Sequence, residues 1–264
     1  MPNTVQDVLD KLMEPVGPIQ KTVDTLKAGD PATEVKGIAT AFMATHQVIE
    51  QTVALGANLL ITHEGIYFSH RDHSEFLEKD PVYKEKRRLI TESGLAIYRF
   101  HDYWHRYKPD GIMAGFIQAL DWQSYIVENQ PAATILNIPP MTLAEISEYL
   151  KTRLGIQYVR FAGDLLRKCT RIGILAGYRG GGSLCIPLYE QERLDLIIYG
   201  EGPEWETPEY VRDVNYQGKQ RNLIVLGHME SEEPGMRYLA QCLQNMFPSI
   251  PTHFIPIEQA LQVI

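Results

Sequence analysis

A histidine and a carboxylate stand side by side where an apolar run of the sequence ends. In "NLLITHEG" (58–65), the apolar residues lead through Thr62 directly into His63 and Glu64. Such a run predicts a buried strand. Imidazole nitrogens and carboxylate oxygens are ligands of borderline-to-hard divalent metals. A polar strand end that faces solvent explains the pair equally simply, so the pair alone does not decide between the two interpretations.

An internal repeat adds residues of the same kind. "LLITHEG" (59–65) matches "LIIYGEG" (196–202), and "AIYRFHDYWH" (96–105) matches "LIVLGHMESE" (223–232). The polar residues that correspond are Glu64 and Glu201, His101 and His228, and His105 and Glu232. Parallel sheets bind ligands beyond the carboxyl ends of their strands. Two similar lobes that face each other are therefore expected to pool these residues in one cleft.

The candidate ligands are nitrogen and oxygen donors without a thiolate: His63, Glu64, His101, His105, Glu201, His228 and Glu232. This mix suits Zn²⁺, Mn²⁺, Fe²⁺ or Co²⁺. One metal ion takes three or four protein ligands, so two ions bridged by a carboxylate use the set better. Paired ions about 3.5–4 Å apart usually activate a water for attack on a phosphoryl or acyl centre.

The elements that would position these residues alternate between strands and helices. Strands are predicted at 35–44, 58–62, 95–100, 171–177, 194–202, 222–228 and 252–256. Helices are predicted at 45–56, 83–93, 110–120 and 235–247, after the turn 178–183 and after Pro208. Such alternation indicates βαβ units and a largely parallel sheet.

The middle of the chain, 133–163, is interpreted as a strand, a Pro-Pro break, a helix capped at Thr142 and a strand that together connect two lobes. The predicted fold class is α/β, with two pseudo-symmetric lobes, 1–124 and 125–264. Their mixed, largely parallel sheets are expected to face a central metal cleft.

Composition narrows the class of protein. The 264 residues carry a formal net charge of −8, and no long basic run is present, which argues against direct nucleic-acid binding. Three widely spaced cysteines exclude a disulfide framework and favour a reducing compartment. No segment approaches the length of a membrane span, and the N-terminal residues do not resemble a signal peptide. A cytoplasmic location is expected.

The motifs, taken in order, resemble those of the Nif-three-like family of dinuclear-metal proteins, some of which are named GTP cyclohydrolase 1 type 2 homologues. The resemblance runs over nearly the whole chain and is carried by "LLITHEG", "HDYWH", "RGGGS", "DLIIYGE" and "GHMESEEPG". It implies the Nif-three-like fold and a homo-hexamer built as a trimer of dimers. The stretch 121–168 is too short for the domain that long members carry between their lobes, so the chain is interpreted as a short form.

Position by position, the resemblance implies two divalent ions held by His63, Glu64, His105, His228 and Glu232. Two of these residues depart from the family pattern, because Glu64 stands where a second histidine is common and His105 where an aspartate is common. The exchange preserves the number of ligands and their total charge. Since histidine cannot bridge two ions as a carboxylate does, the identity of the bridging group is open.

Other residues beside the motifs have more than one candidate role. His101 and Glu201 are candidates for hydrogen-bond partners of the metal ligands or for acid/base groups, although each could be purely structural. Gly180, Gly181 and Gly182 could cradle a phosphate at a helix start, or serve packing alone. Trp104 could stack on a substrate ring. His70 lies in a charged loop and is interpreted as solvated.

Two functions are compatible with this site. One is a metal-dependent hydrolase that acts on a nucleotide or another phosphorylated or cyclic-amide small molecule. The alternative is a non-enzymatic metal-binding hexamer with a scaffold or regulatory role. Both require the metal ions, so only an activity measurement separates them.

Overall fold

The computed structural model describes residues 2–71 and 73–264, which fall into two compact units. Unit 1 comprises the chain up to Gly111 together with Gly235–Glu258, and unit 2 comprises Ile112–Pro234 together with Gln259–Ile264. This division differs from a single cut at 124/125. The physical reason is that a strand near the C-terminus pairs with the sheet of unit 1, so the chain returns to that unit.

Unit 1 is an α/β unit around a mixed sheet. In chain order its elements are α1 (Val5–Met13), β1 (Leu26–Ala28), β2 (Ile38–Ala41), α2 (His46–Ala54), β3 (Leu59–Thr62), α3 (Pro81–Ser93), β4 (Ala96–Arg99), α4 (Asp102–Arg106) and, near the C-terminus, β11 (Thr252–Phe254). The strand order is β1-β4-β3-β2-β11. Only the β1–β4 pairing is antiparallel among these described strands. β2, β3 and β4 are buried along their whole length, as expected of central parallel strands.

Local capping sets the helix boundaries of unit 1. The Thr45 side chain accepts a hydrogen bond of 3.1 Å from the Val48 N–H, which starts α2. Asp80 caps α3 in the same way, and Pro81 occupies its first position. α3 ends at Gly94, whose φ of 64° is the left-handed conformation that glycine adopts without a Cβ penalty.

Unit 2 is built around a second mixed sheet. Its elements are α5 (Gly111–Leu120, which starts at the last residue of unit 1), β5 (Ile126–Asn129), β6 (Thr134–Thr142), α6 (Leu143–Leu154), β7 (Arg160–Ala162), β8 (Lys168–Leu175), α7 (Gly182–Gln191), β9 (Leu196–Tyr199), α8 (Thr207–Tyr216) and β10 (Asn222–Val225). The strand order is β5-β6-β8-β9-β10-β7. β8, β9 and β10 are parallel, and the outer pairings are antiparallel.

The last helix, α9 (His228–Met246), begins seven residues before the predicted start at 235. His228 is consequently the first helical residue rather than the end of a strand, and Pro234 lies inside the helix. The predicted Pro-Pro break also differs, because β6 continues through Pro139 and Pro140. A register shift against β8 between Asn137 and Met141 accommodates the two prolines, which cannot donate to a sheet.

The repeat seen in the sequence has a structural counterpart inside each unit. β3 spans 59–62 and β9 spans 196–199, which are corresponding positions of the two copies. Both strands are fully buried, and each is followed within two residues by a glutamate, Glu64 or Glu201. None of the helices in the described part of the chain is both long and apolar enough to cross a membrane.

Candidate metal centre

In unit 1, the ends of the neighbouring parallel strands β3 and β4 carry the first cluster of polar residues. Thr62 pairs with Arg99, and the Phe100 N–H donates to the Thr62 carbonyl at 2.7 Å. His63 follows β3 and has no exposed surface. The register of this pairing therefore places His63 beside the segment that leads into α4.

Asp24 fixes the start of α4. This buried carboxylate accepts hydrogen bonds from the backbone N–H groups of His101, Asp102 and Tyr103, at 2.9, 3.0 and 2.9 Å. These are the orphan donors that every helix start must satisfy. His101 and His105 are four residues apart at this helix start, and they consequently lie on one face.

Three histidines converge in unit 1. The ring centroids of His63 and His101 are 4.5 Å apart, and His105 lies 4.9 Å from His63 and 4.8 Å from His101. Each ring offers a nitrogen, and these three nitrogens lie within 4.8 Å of one another. This spacing allows a single ion to draw the three side chains together with small rotations.

Oxygen acceptors fix the orientation of all three rings. The Nδ1 atom of His63 lies 3.3 Å from the Phe100 carbonyl oxygen, that of His101 lies 2.9 Å from Asp102 Oδ1, and that of His105 lies 2.9 Å from Asp110 Oδ2. An acceptor at Nδ1 favours the tautomer that keeps the proton there, which presents the Nε2 lone pair to a metal. The hydrogen bond from His101 also holds the pKa of Asp102 well below its usual range.

Glu64 is buried and pairs with a fully buried arginine. Its Oε2 atom accepts a 2.6 Å hydrogen bond from Nη2 of Arg99. Its Oε1 atom lies 3.8 Å from Nε2 of His101, and His70 Nδ1 lies 3.4 Å from Oε2. Burial by itself raises the pKa of Glu64, but the positive charge of Arg99 and the neighbouring histidines outweigh it, so the pKa is lowered and the carboxyl is ionised at neutral pH.

Arg99 also organises the loop that carries Glu64. Its Nε atom donates to the His63 carbonyl at 3.2 Å, and Nη1 donates to the His70 carbonyl. His70, predicted to be solvated, thus has an exposed ring and an anchored backbone. A buried guanidinium with these acceptors fixes the direction in which Glu64 points.

Unit 2 holds a second cluster at the start of α9. His228 and Glu232 are one helical turn apart, with Nε2 of His228 3.2 Å from Oε2 of Glu232. Nδ1 of His228 lies 3.0 Å from Glu201 Oε2. Glu201 follows β9 and His228 follows β10, which are neighbouring parallel strands. A separation of about 3 Å between ligand atoms is normal when both bind one ion at about 2.1 Å.

Small residues make room for this second cluster. A Cβ atom on Gly177 would overlap the Glu232 carboxylate, and Gly177 has a φ of 67°. The Gly177 N–H donates to Ser231 Oγ at 2.9 Å, and that hydroxyl donates to the His228 carbonyl at 2.8 Å. The turn after β8 and the first turn of α9 are therefore locked together around Glu232.

Sequence comparison assigns the chain to a family. Residues 4–260 match the model of the family described as Duf34/NIF3 (NGG1p interacting factor 3). The chain belongs to this family. The resemblance found in the motifs is thereby confirmed.

Named relatives of this NIF3-family chain include two proteins called "GTP cyclohydrolase 1 type 2 homolog". The one from Clostridium perfringens is 26% identical over 217 residues, covering 79% of this chain and 78% of that protein. The one from Chlamydia pneumoniae is 25% identical over 271 residues, covering 93% of this chain and 91% of that protein.

Solved structures support the fold of this NIF3-family chain. A Bacillus cereus protein related to NIF3 superposes with a TM-score of 0.78 at 15% identity, covering 100% of this chain and 99% of that chain. A Staphylococcus aureus protein superposes with a TM-score of 0.75 at 19% identity, covering both chains fully. The predicted α/β fold of two lobes is therefore confirmed.

The donor sets of this NIF3-family chain fit divalent metal ions. Unit 1 offers three oriented imidazoles, and unit 2 offers an imidazole and a carboxylate on one helical face. Each of the four histidines has an oxygen partner at Nδ1, which is the outer hydrogen bond that metal-binding histidines almost always make. Both clusters thus supply donor atoms of the kind that divalent metal ions bind.

Trp104, a predicted substrate contact, is buried in the structure. Trp104 is 1% exposed, packs among Phe100, Tyr107 and Tyr238, and donates its Nε1–H to the Gly235 carbonyl. It is therefore part of the core of unit 1, without an open face for a ring.

The glycine turn before α7 already holds a carboxylate. The Gly182 N–H donates to Glu206 Oε2 at 2.6 Å, and the Gly180 N–H donates to the Glu201 carbonyl at 2.9 Å. Gly181 is the residue that precedes α7. The Glu206 carboxylate thus occupies the backbone donor at which a bound phosphate was predicted.

Several residues of the clusters were missed by sequence reasoning. Asp102 and Asp110 follow His101 and His105 closely, and a search for carboxylates within five residues of each histidine would have found both. Asp24 is 77 residues from His101, and no local signal connects the two. Arg99 lies inside an apolar strand, and its charge in that position was the available signal.

Proposed function

We propose that the chain is a dinuclear metal-binding protein and a metal-dependent hydrolase of a nucleotide or another phosphorylated or cyclic-amide small molecule. The proposed ligands are His63, Glu64, His105, His228 and Glu232, which the family resemblance implies, together with His101. The metals considered are Zn²⁺, Mn²⁺, Fe²⁺ and Co²⁺, as the nitrogen and oxygen donors permit.

The observation that carries this proposal is the convergence of His63, His101 and His105 with all three Nδ1 atoms on oxygen acceptors. Histidines that serve only packing have no common reason to bring one ring nitrogen each within 4.8 Å of the others. A bound divalent ion would polarise the scissile group and lower the pKa of a water molecule, which supplies the nucleophile at neutral pH.

The side chains around the clusters have distinct roles in this proposal. Asp102, Asp110 and Glu201 hold the rings of His101, His105 and His228 in the orientation and tautomer that ligation needs. Arg99 holds Glu64 ionised and fixes its direction. Glu232 combines ligation with capacity to accept a proton.

The test has two stages. Elemental analysis of protein purified with ample metal is expected to find about two divalent ions per chain, a number drawn from the size of the donor set. Turnover of a panel of nucleotides, phosphodiesters and cyclic amides is then measured before and after chelation. We expect turnover that needs the metal and is lost in Glu232→Ala. Turnover that is unchanged by chelation and by this substitution would refute the hydrolase.

The alternative is a metal-binding scaffold or regulatory protein, assembled as a homo-hexamer. Two features favour this alternative, because both make the site rigid: the buried Arg99–Glu64 ion pair and the cap that Asp24 provides at the start of α4. Sedimentation with and without metal tests this alternative. A scaffold predicts that the hexamer requires the ions and that no substrate of the panel is turned over.

A further inference from the structure

Unit 2 has an open recess of about 560 Å³ on the side of the sheet edge formed by β7. It lies between the end of β7, the loop after it, one side of α8 from Pro208 to Asn215, and the turn that follows α8. This volume is in the range of small-molecule sites. Its lining includes one aromatic and three cationic side chains: Phe161, Arg167, Arg212 and Lys219.

The recess is cationic on an acidic protein. Three cations line it, and Asp164 is the only carboxylate among its described lining residues. Arg212 forms an exposed pair with Glu209 at 3.0 Å. Within residues 2–71 and 73–264, neither Arg167 nor Lys219 has a carboxylate at ion-pair distance. Since the whole chain carries −8, this local excess of positive charge is a property of the recess.

Arg167 carries a stronger sign of a missing partner. Its Nη1 atom is buried, and no acceptor for it lies among the residues that the structure describes. Buried donors are nearly always satisfied, because an unpaired one loses its hydration without compensation. Because Nη1 has no exposed surface, an anion in the recess would compensate the guanidinium charge through the other donors of Arg167, whose planar arrangement phosphate oxygens match.

The backbone that presents Arg167 is rigid. Gly163 has a φ of 128°, and a Cβ there would overlap the Asn222 side chain. Asn222 is buried and accepts the Asp164 N–H at 3.0 Å, while the Arg167 carbonyl accepts the Leu143 N–H at 2.9 Å. The loop is thus fixed to the start of β10 and to the start of α6, so that Arg167 is held in place before a ligand arrives.

Phe161 provides a flat apolar wall beside the cations. It lies on the edge strand β7 and is 47% exposed, although its partner on β10, Ile224, is fully buried. A half-exposed aromatic ring next to unpaired cations is the combination that binds a base and its phosphate together.

The recess is separate from the His228 cluster of the same unit. Gly163 and Lys219 lie at the amino end of β10, whereas His228 follows its carboxyl end. Ligands of parallel sheets react at the carboxyl ends. A molecule bound in the recess would therefore act as an effector or a carried ligand, and the proposal does not depend on the hydrolase.

A second recess, in unit 1, provides the contrast. It has about 610 Å³ and is lined by Lys84, Arg87 and Arg88, but also by Glu75, Glu78 and Glu92. Arg88 is bonded to Glu85 and Glu92. Equal numbers of cations and carboxylates give this recess no net attraction for an anion. The excess of positive charge in the recess of unit 2 is therefore not a consequence of its size alone.

We propose that the recess at β7 and α8 binds a small phosphorylated ligand with a planar ring, of the nucleoside monophosphate class. The phosphate pairs with Arg167 and Lys219, and the ring lies against Phe161. No bond is made or broken in this binding.

The test titrates the full chain with AMP, ribose phosphate and inorganic phosphate by calorimetry. Arg167→Gln and Lys219→Gln are each expected to weaken AMP binding by at least ~10-fold, as loss of a charge-assisted contact does. Phe161→Ser is expected to weaken AMP by ~5-fold or more while the affinity for inorganic phosphate stays the same. Lys84→Gln and Arg87→Gln, in the balanced recess, are matched controls expected to change nothing.

The titrations are repeated after chelation, because phosphates also bind metal ions. AMP binding that survives chelation and depends on Arg167 supports the recess whether or not the hydrolase is real. Binding that disappears with the metal, or that responds equally to the control substitutions, overturns the proposal. So does the absence of saturable binding by a folded protein, which circular dichroism establishes for each variant.

Discussion

Glu64 and Arg99 form an ion pair in which Oε2 and Nη2 are 2.6 Å apart and the arginine has no exposed surface. One oxygen of Glu64 is thereby committed to neutralising a buried charge, and the other faces His101. Glu64, a predicted metal ligand, thus also neutralises the buried Arg99. The stability of unit 1 is therefore linked to its candidate metal site.

Arg99→Met should destabilise the protein by ~3–5 kcal/mol, because it leaves the Glu64 carboxylate buried without its counter-ion. The double variant with Glu64→Gln should be less destabilised than the single one, since it removes both charges. Urea denaturation followed by circular dichroism measures this coupling. Arg88→Met is the control, because its exposed pair with Glu85 should contribute less than ~1 kcal/mol. Strictly additive effects at 64 and 99 would contradict the coupling.

Asp110→Asn should weaken metal binding by ~10–100-fold, because an amide at this position no longer favours the Nδ1-protonated tautomer of His105. His105→Ala should weaken binding at least as much. Competition titration with a chromogenic chelator measures both. His46→Ala is the matched control, since His46 is exposed and lies 3.8 Å from Glu50, away from the tri-histidine cluster. If His46→Ala lost as much metal as Asp110→Asn, the tri-histidine cluster would not be the binding site.

Gly177→Ala should lower the metal content and the stability together, because the new Cβ overlaps Glu232 at a backbone φ of 67°. Gly56→Ala separates the two causes. Gly56 has a φ of 73° with open space around it, so its substitution costs only the backbone strain of ~1 kcal/mol. Thermal unfolding and elemental analysis of both variants are the measurements. Equal stability loss and unchanged metal in both would show that the Glu232 cradle is irrelevant.

The buried lysine Lys86 should make stability depend on alkaline pH. Burial lowers the pKa of Lys86 from 10.5 to about 8, and its Nζ donates to the Ile66 carbonyl at 2.5 Å. Between pH 8 and 10.5 the unfolded chain binds more protons than the folded one, so this group makes stability rise with pH across that window. The penalty present at pH 7 is on the order of 3 kcal/mol.

Lys86→Met removes this titration, so the difference in unfolding free energy between wild type and variant should grow in favour of wild type from pH 7 to 10. Other lysines, tyrosines and cysteines titrate in both proteins and cancel in the difference. Lys84→Met, an exposed position on the same helix, should give a difference that is flat with pH. A flat difference for Lys86→Met as well would mean that Lys86 keeps an ordinary pKa.

Sequence reasoning located most elements because their signals are local. Thr142 was recognised as a helix cap, and it acts through a hydrogen bond from the Glu145 N–H, three residues further along the chain. The start of α9 was predicted seven residues late, at 235, directly after Pro234. In the structure Pro234 is the seventh residue of α9, so the helix continues although it lacks the backbone hydrogen bond that residue 234 would donate to the Glu230 carbonyl.

The clusters show the same contrast between local and distant information. The histidines could be named from their strand ends and from the repeat, whereas Asp24 and Arg99 act across 77 and 35 residues, on His101 and Glu64 respectively. Trp104 could not be placed either, because an aromatic beside a motif looks the same in sequence whether it faces a ligand or the core. Its burial follows from packing against Tyr238 of the last helix.

The Glu206 carboxylate accepts the Gly182 N–H, which affects how the glycine-rich turn of this sequence is interpreted. A glycine-rich stretch between a strand and a helix is commonly interpreted as a phosphate loop, but here an acidic side chain of a neighbouring segment accepts the backbone donor. A substitution that removes the carboxylate at position 206 would leave the Gly182 N–H without this acceptor. In the structure, the first turn of α7 is therefore closed by a side chain of its own unit.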